Sequence, residues 1–125
     1  MPEKNKKQFG VWMDSQFATI TGREDTENGD FIILGTVNNE GVNKNAPEKT
    51  TNNHEITQRL KFFKEIARLM PNIDEIHVTG TGQVQEQFIK FLADTPQYKN
   101  AISSESTSNK IGDEQLIELV TKHFN

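Results

Sequence analysis

The sequence predicts an α/β fold: a mixed five-stranded sheet with helices packed on its faces, RNase H-like, in the order β-β-β-α-β-α-β-α. Three observations lead there. The N-terminal part carries three short runs rich in aromatic and β-branched residues, separated by turn residues, as in an antiparallel meander. Residues 38–53 then offer almost nothing a core can use. Beyond them, apolar positions at helical spacing alternate with strand-like runs, which implies crossovers and parallel pairing. The strand order is left open by the sequence. A chain of 125 residues is expected to form one domain, 1–125, with its own core.

The first strand is "KQFGVWMD", with Phe9, Val11 and Met13 on one face and Trp12 on the other. Residues 1–7 before it are expected to fray. Asp14, Ser15 and Gln16 are turn residues, and "FATITG" returns as the second strand of a hairpin. "DFIILGTV" is the third strand, apolar enough from Phe31 to Leu34 to lie well inside a sheet. The stretch 38–53, "NNEGVNKNAPEKTTNN", is expected to be a mobile loop.

"HEITQRLKFFKEIARLM" sets Ile56, Leu60, Phe63, Ala67 and Met70 on one side of a helix, a stripe widened by Phe62, Ile66 and Leu69, and Pro71 stops it. "IDEIHVTG" is the fourth strand. "QVQEQFIKFLAD" is the second helix, with Val84, Phe88, Phe91 and Leu92 inward and Pro96 closing it. A weak fifth strand is expected near Tyr98 to Ser103. The last helix starts near Asp113, an N-cap residue type, and turns Leu116, Leu119, Val120 and Phe124 inward.

There is no cysteine, so disulfides, thiolate metal sites and cysteine nucleophiles are excluded. No run reaches the roughly 18 apolar residues of a spanning helix, and "MPEKNKKQ" lacks the apolar core of a signal peptide. A cytoplasmic protein without a membrane partner is expected. With 14 Lys+Arg against 18 Asp+Glu the formal charge is −4, so any nucleic-acid contact must be local. Lys61, Lys64 and Arg68 recur at spacings that align them on one helix face, opposite Phe63 and Ile66, and are the RNA-binding candidates. Their competing reading is a solvated helix face.

Phosphodiester cleavage on such a sheet needs converging carboxylates. Asp14, Asp74, Glu75, Asp94 and Asp113 are available, but their spacing compels no convergence, and Asp14 reads better as a turn opener. His54, His77 and His123 fit no metal-ligand spacing and read as a helix-start, a hydrogen-bonded sheet and a helix-end residue respectively. Neither metal nor cofactor is expected. Arg59 falls inside the apolar arc of its helix, so its guanidinium needs water, a carboxylate or a phosphate; Asp14 is a candidate partner, and the two form a possible polar site. Gly80 and Gly82 in "VTGTGQVQEQF" begin a dinucleotide fingerprint, but Gln85 stands where its third glycine belongs. A tight turn is therefore expected, with an anion cradle as the alternative.

Taken together, "FGVWMDSQFATI", "TQRLKFFKEIARL" and "EIHVTGTGQVQEQF" resemble the opening hairpin, first helix and strand–turn–helix of the central domain of Pelota and of the class-1 release factors of archaea and eukaryotes. The chain is also similar to small stand-alone bacterial proteins grouped with translation machinery components. Two departures stand out. The release factors carry Gly-Gly-Gln before the first helix, where this chain has "NAPEKTTNNHEITQ", and Thr81 replaces the proline of the glycine turn. The resemblance implies a translation-related domain that contacts the ribosome, through ribosomal RNA or protein, and does not hydrolyse peptidyl-tRNA. It also implies that the glycine turn links sheet to helix. Two other classes remain open: a metal-dependent or phosphate-handling enzyme using Asp14 with Arg59 or the 80–82 turn, and a homo-oligomeric interaction module, which the negative charge favours mildly.

Overall fold

The computed structural model describes residues 7–14, 16–23, 30–39 and 52–124. Five strands, β1 (Gln8–Met13), β2 (Phe17–Arg23), β3 (Ile32–Asn38), β4 (Glu75–Gly80) and β5 (Ile102–Thr107), and three helices, α1 (Asn52–Arg68), α2 (Gln83–Asp94) and α3 (Asp113–Phe124), follow the expected order. They form one mixed sheet in the order β3-β2-β1-β4-β5. β1 pairs antiparallel with β2 and parallel with β4; β2–β3 is antiparallel and β4–β5 parallel.

Period-two alternation in β1 decides the layering. Phe9, Val11 and Met13 join Phe62, Phe63, Ile66 and Met70 of α1 with its following turn, and Phe88 and Leu92 of α2, in one core. Trp12 faces the other way and packs with Phe31, Leu116 and Val120 under α3. All six β1 residues are buried because helices cover both faces of this central strand. The larger core is bound by aromatic contacts: Phe63 meets Phe88 at 5.3 Å and Phe91 at 5.7 Å between ring centroids. Such pairs add about 0.5–1.5 kcal/mol each beyond their buried area. Gly10 allows α3 its close approach, since a Cβ there would run into the Val120 side chain.

Four expectations are corrected. The third strand, expected well inside the sheet, is an edge strand, with Ile32 58% exposed although Phe31 is buried. The fifth strand is not at 98–103 but at Ile102–Thr107. Tyr98 and Ala101 instead pack on the larger core from a turn in which Tyr98 N–H donates to Thr95 O and Ala101 N–H to Tyr98 O. Leu60, expected inward, is 41% exposed. At about 100° per residue it lies roughly 60° from Phe63, on the rim of the buried arc. Lys7, placed with the fraying N-terminus, is held: its N–H donates to Asp74 Oδ2 and its carbonyl accepts from Asp74 and Glu75. Residues 1–6 and 40–51, the greater part of both segments expected to move, lie outside the described residues. Both edges of the loop expected at 38–53 are structured: Asn38 ends β3, Asn39 is buried with its N–H donating to Gln16 O, and Asn52 and Asn53 open α1.

Candidate functional site

The outer side of α1 carries Lys61, Lys64 and Arg68, all exposed, while Phe62, Phe63, Ile66 and Ala67 of the same helix are buried. Helical geometry thus turns the three cations outward as one stripe. No carboxylate among the described residues lies within 4 Å of any of them. None of the three is ion-paired with a described residue, which leaves the stripe available to an anionic partner.

Asp14 and Arg59 do not form a site together. Asp14 Oδ1 accepts the N–H groups of Gln16 and Phe17 at 2.8 and 2.9 Å, which makes it the opener of the β1–β2 turn. Arg59 is half-buried on α1 and makes no ion pair with a described residue.

The glycine turn is filled by its own chain. A Cβ on Gly80 would overlap the Met13 carbonyl oxygen and crowd Gln85 Oε1, so only glycine fits at this strand end. The Gly82 N–H, which an anion would use, donates to Gln85 Oε1 at 2.9 Å. Gln85, fully buried, returns its Nε2 to Ser106 O at 2.9 Å and so ties turn, α2 and β5 together. The residue that departs from the dinucleotide fingerprint is the one that occupies the turn.

A second polar cluster, which the sequence reading did not assemble, lies on the α3 side of β4 and β5. His77, 4% exposed, bonds Ser104 Oγ through Nδ1 at 2.8 Å and Ser106 Oγ through Nε2 at 2.9 Å. Ser104 Oγ also meets His123 Nε2 at 3.0 Å, and the two imidazoles stack at 4.0 Å. Ser106 O–H donates to Thr79 Oγ1 at 2.9 Å, and Thr79 lies 3.0 Å from Ser108 Oγ. Burial first, and the charge of His123 second, hold the His77 imidazole at about 4, below its ordinary value. The signal that could have found this cluster is the period-two placement of Ser104, Ser106 and Ser108 beside His77 and Thr79. That pattern belongs to a strand at Ile102–Thr107, four residues beyond the expected one.

No protein-family model and no curated protein matches the sequence. Among solved structures, the chain is similar to the Thermoplasma acidophilum Pelota protein, with a TM-score of 0.64, 20% identity and 97% of this chain covered against 34% of that one. It is similar also to Archaeoglobus fulgidus Pelota, with a TM-score of 0.52, 16% identity and 97% coverage against 32%. The fold is Pelota-like. At these identities the likeness establishes architecture alone, and this chain spans about a third of the length of either Pelota protein. No helix among the described residues is long and apolar enough to cross a membrane.

Proposed function

We propose that this chain is a non-enzymatic, cytoplasmic, translation-associated domain of the Pelota central-domain type, which binds ribosomal RNA through the outer face of α1. The observation that carries the reading is the stripe of Lys61, Lys64 and Arg68, exposed, aligned and without carboxylate partners among the described residues. An RNA-binding role for an acidic chain requires such a local basic surface. The Pelota-like architecture over 97% of the chain, and the three motifs that resemble the release-factor central domain, support the translation setting. The lack of Gly-Gly-Gln before α1 argues for a binding role without peptide release.

Two described groups suited to acid–base chemistry are engaged in the fold itself. Asp14 caps its turn, and both nitrogens of His77 are hydrogen-bonded. An imidazole held near 4 is also a weak base at neutral pH. Sedimentation of the tagged protein through a ribosome gradient at low salt tests the setting. Co-migration with a ribosomal subunit is expected, and migration only with free protein would remove the ribosome from the proposal.

A further inference from the structure

The chain of side chains from His123 to Ser108 has a proton order that can be worked out. Ser106 spends its only hydroxyl proton on Thr79, so its contact with His77 is a bond donated by His77 Nε2–H. A neutral His77 then has a bare Nδ1, which accepts from Ser104 O–H. Ser104 has no second proton, so His123 Nε2–H donates to Ser104 Oγ. Thr79 keeps its own proton for Ser108. With both imidazoles neutral, every contact is a donor facing an acceptor.

A further proton on His123 goes to Nδ1 and leaves these bonds in place, whereas one on His77 breaks the order. On His77 it sets an Nδ1–H against a hydroxyl already donating to it, and Ser104 must turn its proton away. It also leaves a cation 4% exposed on a central strand. A charge on His123 as well puts two cations in rings stacked 4.0 Å apart. The strand cannot yield, because β4 is paired on both sides, whereas His123 is exposed in the last turn of α3.

We propose that His123, Ser104 and His77 form an acid-released latch, which holds the C-terminal turn of α3 on the sheet at neutral pH and frees it on protonation. Its release bares the hydroxyl row of Ser104 and Ser106 and parts Phe124 from Phe31. The proposal stands apart from the RNA-binding reading.

Few other charges face the latch. On β4 the same face carries Glu75, which accepts from Gln8 Nε2; on β2 it carries Arg23, which donates to Gln8 Oε1, two residues along β1 from the Gly10 opposite His77. Of the other ionisable groups of α3 near His123, Lys122 and Glu118 are exposed, and Glu105 on β5 is exposed too. The partners from β5, Ser104 and Ser106, do not titrate in this range. The helices α1 and α2 pack on the opposite face of the sheet.

The test is amide exchange by NMR from pH 7.5 to 4.5, with intrinsic rates divided out, on wild type and on His123→Gln. The variant keeps an Nε2 donor for Ser104 but cannot titrate, and its exposed position spares the fold. In wild type the amides of residues 120–124 are expected to lose protection at least tenfold while those of 88–92 in α2 hold theirs. In His123→Gln the loss is expected to be threefold or less. A wild type without the loss, a loss shared equally by α2, or a variant with the wild-type profile would each overturn the latch.

Discussion

Replacing Gln85 by Met separates the packing role of the glycine turn from an anion-binding one. Methionine matches glutamine in length and leaves no large cavity, so the change is confined to two hydrogen bonds of 2.9 Å, one from Gly82 N–H and one to Ser106 O. Leaving a buried donor or acceptor unpaired costs about 1–3 kcal/mol. Gly82 and Ser106 are each half-buried, which lets water relieve part of the loss. A destabilisation of about 2–4 kcal/mol is therefore expected. Urea unfolding followed by the fluorescence of Trp12, the single tryptophan and 2% exposed, measures it, with an unchanged slope showing that stability alone has moved. The Gly82 amide should also exchange faster. A loss below about 0.5 kcal/mol, with the Gly82 amide still protected, would refute the assignment of Gln85 as the bond that fills the turn.

The remaining expectations concern pH and packing. His77 has a folded-state value near 4 against 6.5 for an ordinary imidazole, so between those values the unfolded chain binds more protons and stability falls as pH is lowered. From pH 7.5 to 4.5 this would reach roughly 2–3 kcal/mol only if the latch stayed shut. Opening of the α3 latch would cap it, and His77→Gln should flatten this component of the stability–pH curve; parallel curves for the two proteins would contradict it. Phe63→Ala should cost about 3–5 kcal/mol and Leu60→Ala less than about 1, because the first empties the core and the second trims a side chain 41% exposed. Equal losses in urea unfolding would show the arc of α1 to be wrongly oriented. Gly80→Ala should destabilise strongly, since its Cβ meets a backbone carbonyl that cannot move aside, and a melting temperature within a degree or two of wild type would refute that contact.

Where the periodicity was strong, the sequence was a sufficient guide. The alternation of Phe9, Val11 and Met13 against Trp12 separated the two cores, and the helical spacing around Phe63 and Phe88 found both helices of the larger one. It failed where packing, not local pattern, decides. β5 is an edge strand of serines and threonines with little apolar signal, and Tyr98 and Ala101 imitated a strand from within a turn. Strand order also lay beyond reach, because it rests on pairing between distant segments. The exposed stripe of Lys61, Lys64 and Arg68 was legible, since a helix with one buried side must present the other. The His77–His123 stack was not, because it needs the parallel register of β4 with β5 and the seat of α3 at once.

The most direct test of the RNA-binding claim compares wild type with a triple variant, Lys61→Glu, Lys64→Glu and Arg68→Glu, in binding ribosomal RNA across a salt series. All three positions are exposed, so stability should stay within about 1 kcal/mol of wild type, as unfolding in urea would verify. Wild type is expected to bind at low salt and to weaken steeply as salt rises. The variant should bind at least tenfold less tightly, with the slope of log affinity against log salt reduced by about 2–3 for the three lost phosphate contacts. Equal affinity and equal slope for the two proteins would contradict the claim that this face of α1 meets RNA.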